Sequence, residues 1–254
     1  SPMLLPLTSE TLASLTKTER EVAQFINQNE DRLSQLSIVD IAYETFSSPA
    51  TVSRAIRKCR VNGFNELRYK LASGDQDHQV VEVNEILNKS LVEAHRTIEQ
   101  ISMGDILGCV RHIREAGRVY VFARGLTHYI ASEFCLKLQL MNVDAMVTDD
   151  PKIMVSISRT IDPKNLVVIF SLNGRTQELV DSAACAFGRG CPVISCSCNG
   201  ESELGKYSAI HIVGYKHNHV AFHSYEVTTR LPLLIISRVI IDQMVNASED
   251  GEHL

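Results

Sequence analysis

The sequence predicts two domains of different class: an all-α helix-turn-helix domain at the N-terminal end, then an α/β domain. The second should be a three-layer αβα sandwich around a mostly parallel five-stranded sheet. Three observations carry this. Up to about residue 72, apolar residues recur at helical spacing in short segments. From Arg118 onward, short apolar runs alternate with helical segments, as in a parallel sheet covered on both faces. Between these regions, residues 73–79 are polar and aperiodic. The expected layout is a helical domain over 1–74, a linker and connecting helix over 75–104, and the α/β domain over 105–254.

In chain order, Thr16 and Glu19 form a capping-box start, followed by Val22, Phe25 and Ile26 at helical spacing. A short helix is expected near residues 31–35. Ser37 caps the next, with Ile38, Ile41 and Ala42 on one face. Ser48 caps a fourth helix over 49–60, with Pro49 at its first position and Val52, Ala55, Ile56 and Cys59 inward. Asn62-Gly63 should stop it. Phe64, Leu67 and Leu71 predict a further turn or two. Val83, Ile86, Leu87, Leu91, Ala94, Ile98 and Ile101 mark a long amphipathic helix, suited to packing on the sheet or to a dimer contact. Another helix covers about 104–115. Strands are expected at 119–122, 143–147, 166–170, 192–196 and 209–213, with helices at 128–141, 151–160, 176–188 and 202–206. A closing helix, 231–245, suits a core or subunit contact.

At 44% hydrophobic and 22% charged residues, the composition excludes extensive disorder. Pro232, Arg238 and Asp242 interrupt the longest apolar stretch, so no membrane span is expected. No secretory signal is visible, the expected location is the cytoplasm, and the seven cysteines read as reduced thiols. The net charge of −5 divides unevenly: nine basic against eight acidic residues over 1–74, sixteen against twenty-two thereafter. Within 49–70 there are six basic residues and one acid, Glu66. Such a local excess marks a small polyanion-binding patch or a solvated helix face.

Residues 38–56 have helix-turn-helix spacing, with Ala42 where two helices cross closely. That places Ser48, Ala50, Thr51, Ser53, Arg54 and Arg57 on the outer face, within reach of base edges and phosphates. Lys17 and Lys58 complete the candidate DNA-binding set. Many such motifs carry glycine near position 46, where this chain has Phe46. A phenylalanine does not accept positive φ cheaply, so a longer or differently shaped turn is expected. Residues 7–72 resemble the N-terminal domain of the RpiR family of bacterial transcriptional regulators. The resemblance rests on Leu15-Thr16-Lys17-Thr18-Glu19-Arg20, on Ser48-Pro49-Ala50-Thr51-Val52-Ser53-Arg54, and on Asn62-Gly63-Phe64-Asn65-Glu66-Leu67-Arg68.

Two glycine-containing polar turns follow strands in the second half: Ala123-Arg124-Gly125-Leu126-Thr127-His128 and Ser171-Leu172-Asn173-Gly174-Arg175-Thr176. Ligands of open parallel sheets bind at the carboxyl ends of strands, at a switch point. The second turn offers hydroxyls, an amide, a glycine and a helix N-terminus near Thr176, which together suit a phosphate. Arg175 adds a charge or points to solvent. Neither a dinucleotide fingerprint nor a P-loop is present. About residues 105–225 resemble the SIS (sugar isomerase) domain, whose members bind phosphosugars. The matching pieces are Gly125-Leu126-Thr127 and the Ser-x-Ser-Gly-x-Thr pattern, in which Asn173 replaces the second serine, followed by Gln177-Glu178. The resemblance implies roles around the phosphate for Thr127, Ser171, Asn173 and Thr176. The expected ligand set adds Gly125, His128, Gly174, Arg175 and Glu178.

Cys191, Cys196 and Cys198 near His211 lack a C-x-x-C pair, so neither a metal nor a cofactor is expected. His217, His219 and His223 read as a polar loop over the pocket. Glu178, His128, His223 and Glu226 are conceivable acid/base groups for an isomerase, but nothing fixes two of them at one carbon, so no catalytic residue is assigned. Helix-turn-helix followed by SIS is the RpiR arrangement. It implies a regulator that binds double-stranded operator DNA, senses a sugar phosphate, and forms a homodimer or dimer of dimers. The competing expectations are an SIS-type isomerase or lyase with a helical appendage, and a sensor that binds a protein partner.

Overall fold

The computed structural model describes residues 3–74, 78–217 and 220–252. The chain separates into two compact units, Ser1–Lys89 and Ser90–Leu254.

The first unit is helical: α1 (Ser9–Ser14), α2 (Lys17–Gln28), a 3-10 turn (Glu30–Gln35), α3 (Ile38–Glu44), α4 (Pro49–Lys58) and α5 (Phe64–Gly74), with α6 (His78–Gln100) running on into the second unit. The N-caps expected from sequence form: Thr16 and Glu19 make a reciprocal capping box, and Ser48 Oγ accepts from the Thr51 amide. Val22, Ile26, Ile41, Val52, Ala55, Ile56 and Cys59 are fully buried in one core, with Ala42 beside them.

Two turns differ from expectation. Phe46 does take a left-handed φ, +49°, so the α3–α4 turn is tight rather than extended. The Ser47 amide bonds the Ala42 carbonyl (2.8 Å) and the Phe46 amide bonds that of Tyr43 (3.2 Å), a Schellman closure of α3. These bonds satisfy carbonyls that the helix end would otherwise strand, and this offsets the strain at Phe46. The same device closes α4: Arg60 sits at φ +62°, with Val61 N bonded to Ile56 O. So Arg60, not Asn62-Gly63, ends that helix, and Gly63 (φ +94°) instead starts α5. Of the expected linker, residues 73–74 belong to α5, 78–79 belong to α6, and 75–77 lie outside the described residues.

The second unit comprises α7 (Met103–Glu115), β1 (Val119–Phe122), α8 (Thr127–Leu140), β2 (Ala145–Thr148), α9 (Pro151–Thr160), β3 (Leu166–Ser171), α10 (Gln177–Gly188), β4 (Val193–Ser197), a 3-10 turn (Glu203–Tyr207), β5 (Ile210–Val213), β6 (Ala221–Phe222), β7 (Tyr225–Glu226) and α11 (Leu231–Glu252). The sheet has five strands in the order β2-β1-β3-β4-β5, every pair parallel. Alternate strand residues feed two cores. Val119, Val121, Val168, Phe170, Ile194 and Ile212 pack with α7, α8 and α11, while Phe122, Val167, Ile169 and Val193 pack with α9 and α10. That alternation makes the three layers.

Leu231–Ser248 within α11 is long and apolar enough, by length and composition, to cross a membrane (mean hydropathy 1.3). It lays Leu233, Ile236, Ile240, Ile241 and Met244 into the core of its unit. Most of the α6 stripe does not pack on the sheet: Val83, Ile86, Leu87, Leu91 and Ile98 are exposed, which leaves the expected dimer contact open, and Glu93 and Thr97 are buried. Thr97 Oγ1 accepts from the Tyr215 amide and Glu93 from that of His217. The hairpin β6–β7 replaces part of the expected polar loop. His223 lies in its turn at φ +54°, and His219 lies outside the described residues.

Candidate functional site

The strand order fixes where a ligand goes. The chain leaves β1 for β2 on one side and returns to β3 on the other, so the loops after β1 and β3 diverge from a switch point. A cavity of about 700 Å³ opens there. Among the residues expected to bind ligand, Thr127, Ser171, Asn173, Arg175 and Thr176 line it. Thr176 is the N-cap of α10, and its side chain makes no capping bond. Its hydroxyl and the amides of Gln177 and Glu178 are therefore available to an anion, whereas the Leu179 amide bonds the Thr176 carbonyl.

The other four candidates stand behind the wall. Gly174 (φ +62°) takes the Ser171 Oγ as acceptor for its amide at 3.2 Å. Gly125 (φ +56°) turns the chain, and its carbonyl accepts from the His128 amide. The His128 ring faces Ser132 Oγ at 3.1 Å, one turn along α8. Glu178 lies in the first turn of α10, where its carbonyl accepts from Ser182 Oγ.

The fold adds groups that sequence reading did not assign: Arg124, Cys198, Asn199, Lys216, Glu226 and Arg230 also line the cavity. Arg124 stands within a turn already singled out, so its place was legible. The others arrive from the ends of β4 and β5, from β7 and from the approach to α11, which no local motif connects. Arg230, 14% exposed, ties this side together. Its Nη2 meets Glu226 Oε2 at 2.6 Å, its Nη1 donates to Thr228 O at 2.6 Å, and its Nε donates to Thr127 Oγ1 at 3.4 Å. Burial pushes the Glu226 carboxyl up, but Thr228 and Arg230 outweigh it and hold the group below the ordinary carboxylate value. Arg124 donates to the Asp149 carbonyl, which does not neutralise it. Lys216 and Arg175 make no ion pair among the described residues. Three unneutralised cations therefore face the cavity, against one carboxylate already paired. Cys198 is a half-buried thiol on the cavity wall, pushed up to about 12 by burial, against the pull of Lys216.

In the first unit, Ser48, Ala50, Arg54 and Arg57 are exposed on α4, and Thr51 and Ser53 are half-buried. Thr51 Oγ1 accepts from Arg54 Nη2 at 3.1 Å. Much of the basic excess is spent internally. Lys58 Nζ is 2.7 Å from Glu19 Oε2 and 3.0 Å from Ser14 O. Arg60 pairs with Glu10, Lys70 pairs with Glu66, and Arg68 lies over the Phe64 ring. Glu19 is 3% exposed. Burial raises its pKa, but Lys58 and the capping bonds from Thr16 prevail and hold it low. Arg54 makes a 3.6 Å contact with Glu19 from the exposed side. The Arg57 guanidinium makes no hydrogen bond or ion pair among the described residues. Lys17 is exposed at the first position of α2. Lys58 is exposed but held by the buried Glu19, whereas Arg57 and Lys17 make no ion pair among the described residues and Arg54 makes only the longer 3.6 Å contact.

Comparison with known proteins gives the same two parts in the same order. The helix-turn-helix domain of the rpiR family matches residues 3–78, and the SIS domain matches residues 112–233. An uncharacterized HTH-type transcriptional regulator of Clostridium perfringens is 22% identical over 91% of this chain and 88% of its own length. The HTH-type transcriptional regulator HexR of Pseudomonas aeruginosa is 24% identical over 82% of this chain and 77% of its own. Among solved structures, the Vibrio vulnificus NanR protein complexed with ManNAc-6P superposes with a TM-score of 0.60 at 19% identity, covering 95% of this chain and 91% of NanR. At that identity the likeness speaks for the fold.

Proposed function

We propose a sugar-phosphate-controlled DNA switch for this chain, which belongs to the RpiR family of helix-turn-helix transcriptional regulators with a SIS domain. The first turn of α4, with Thr51, Ser53, Arg54 and Arg57, enters the major groove of operator DNA. Lys17 reaches a phosphate. The cavity at the β1/β3 switch point holds the phosphate of a sugar phosphate against Ser171, Thr176 and the N-terminus of α10, with Arg175 beside it. The observation that carries this reading is the unneutralised cationic lining of that cavity, set around an uncapped helix N-terminus. NanR was solved with ManNAc-6P, so amino-sugar phosphates are the first class to test. Effector binding alters DNA affinity by its differential affinity for two arrangements of the protein. A homodimer or dimer of dimers in the cytoplasm would match two-fold operator sites.

The isomerase reading is disfavoured by the cavity's carboxylate. Glu226 is locked to Arg230 with its pKa held low, whereas a general base for enolisation works best poised near neutrality. His128 does not line the cavity.

The test is thermal stability of the full chain against sugar phosphates and their unphosphorylated parents, followed by DNA binding with each hit. Ligand at 100 times Kd stabilises the native state by about 2.7 kcal/mol. A shift that requires the phosphate and disappears in Ser171→Ala/Thr176→Val supports the pocket. A shift given equally by the parent sugar refutes the phosphate cradle, and turnover of any hit refutes the regulator-only reading.

A further inference from the structure

Phe46 combines two costs that a protein rarely carries together. Its backbone is left-handed at φ +49°, a conformation that disfavours bulky side chains, and its ring is 98% exposed. The ring belongs to neither the core of its unit nor any aromatic pair among the described residues. Glycine would close the same Schellman turn without strain and without wetting a phenyl group. Arg60, the other such residue closing a helix in this unit, holds an ion pair with Glu10, so its side chain has a partner. Phe46 has none. Strain at an exposed position points to a function for the side chain.

Position decides which function. Phe46 stands two residues before Ser48, the N-cap of α4, so its ring leaves the chain at the end of α4 that carries Thr51 and Arg54. One turn earlier on α3, Tyr43 is 83% exposed, and Val39 is exposed one turn before that. Val39 and Tyr43, four residues apart within α3, share a helix face, and Phe46 follows two residues beyond the helix end, so an exposed apolar strip leads along the chain to the start of α4. A double helix offers apolar carbon beside its phosphates, as thymine methyl groups and deoxyribose rings, and phenylalanine is among the side chains that read the thymine methyl.

We propose that Phe46 is a DNA-contacting residue, its ring packed on apolar carbon at the rim of the groove that α4 enters. This rests on the DNA-binding reading above. The contact adds affinity without adding charge. Phe46 therefore strengthens binding in a way that salt does not screen, while Arg57 supplies the part that salt does.

The test uses the full chain and a duplex selected from a random pool on the wild-type protein. Phe46→Gly is expected to bind that duplex roughly tenfold more weakly, as for loss of a half-buried phenyl ring. The slope of log affinity against log salt stays unchanged, and the thermal midpoint is equal to or above wild type because the strain is relieved. Phe46→Tyr, which keeps the ring, retains affinity. Replacing thymine by uracil across the duplex separates the two carbon sources: a loss in wild type but not in Phe46→Gly assigns the methyl group, and an equal response in both assigns the deoxyribose. Unchanged affinity in Phe46→Gly overturns the proposal and leaves the strip to a protein partner. A lowered midpoint accompanying the lost affinity overturns it too, by making Phe46 a packing residue. Failure of the wild type to enrich any duplex removes the DNA-binding reading itself.

Discussion

Ser202 Oγ donates a 2.6 Å hydrogen bond to the carbonyl oxygen of Gly174, and its Cβ stands 2.6 Å from where a Cβ on residue 174 would lie. The loop after β3 is thus clamped from behind by the loop after β4. Asn199 Nδ2 adds a second clamp on the Asn173 carbonyl at 3.1 Å.

Gly174→Ala meets both obstacles, the left-handed φ of +62° and the Ser202 side chain. It is expected to cost roughly 1–3 kcal/mol of stability and to weaken phosphate-ligand affinity at least tenfold by displacing the Ser171–Thr176 loop. Gly125→Ala meets the φ penalty but nothing within 4 Å, so its loss should be smaller. Calorimetric titration and thermal melts of the two variants check the order.

Arg230→Met leaves Glu226 in the cavity without its cation. At neutral pH the stranded carboxylate repels a phosphate, so ligand affinity should fall, by about tenfold or more. Without Arg230 the Glu226 pKa rises, because burial then acts with less opposition. Acidification should therefore neutralise Glu226 at a higher pH in the variant than in the wild type and restore part of the variant's affinity by that route. Affinity measured from pH 5 to 8 gives the comparison.

Arg57→Gln and Lys58→Met separate an exposed cation without an ion pair among the described residues from one held by the buried Glu19. The first should lower DNA affinity, reduce the salt slope by about 1 and leave the melting point alone. The second should keep the slope and cost roughly 1–2 kcal/mol, because Lys58 supports the buried Glu19. The Glu19 pKa is depressed in the fold, so its stabilisation is complete above the ordinary value of 4.5 and lost as pH falls through the lowered one. Glu19→Gln should flatten that acid limb in a melt of the first unit.

Cys198 should be inert to iodoacetamide at pH 8, since burial pushes its thiol up to about 12. Cys196 is raised further by the same cause and should follow it. Cys185, half-buried like Cys198 but outside the cavity lining, should be alkylated first. Rapid labelling of native Cys198 would show the cavity floor to be open to solvent. Mass spectrometry of the alkylated peptides reads the order.

Local signals carried the element order. The Thr16 and Ser48 caps, the apolar run over 166–170 and the Asn173-Gly174 turn each depend on neighbours within a few residues, and each forms where the sequence places it. All nine expected ligand residues lie in or beside the two strand-end turns, and five of them line the cavity. Phe46 was misread because the cost of its φ was visible in sequence, while the Ala42–Ser47 bond that offsets it depends on the geometry of the closed turn.

By itself, then, the sequence determined the two-part architecture, the parallel class of the sheet, the position of the glycine-containing loop that lines the cavity and the outward face of α4. All of these follow from periodicity and capping over short stretches. Tertiary structure alone decided which charges are free. It paired Lys58 with Glu19 across 39 residues, brought Arg230 to Thr127 across 103 and turned the apolar stripe of α6 outward. The reason is that ionic and hydrogen-bonded partners are selected by proximity in space, and a sequence records proximity only along the chain.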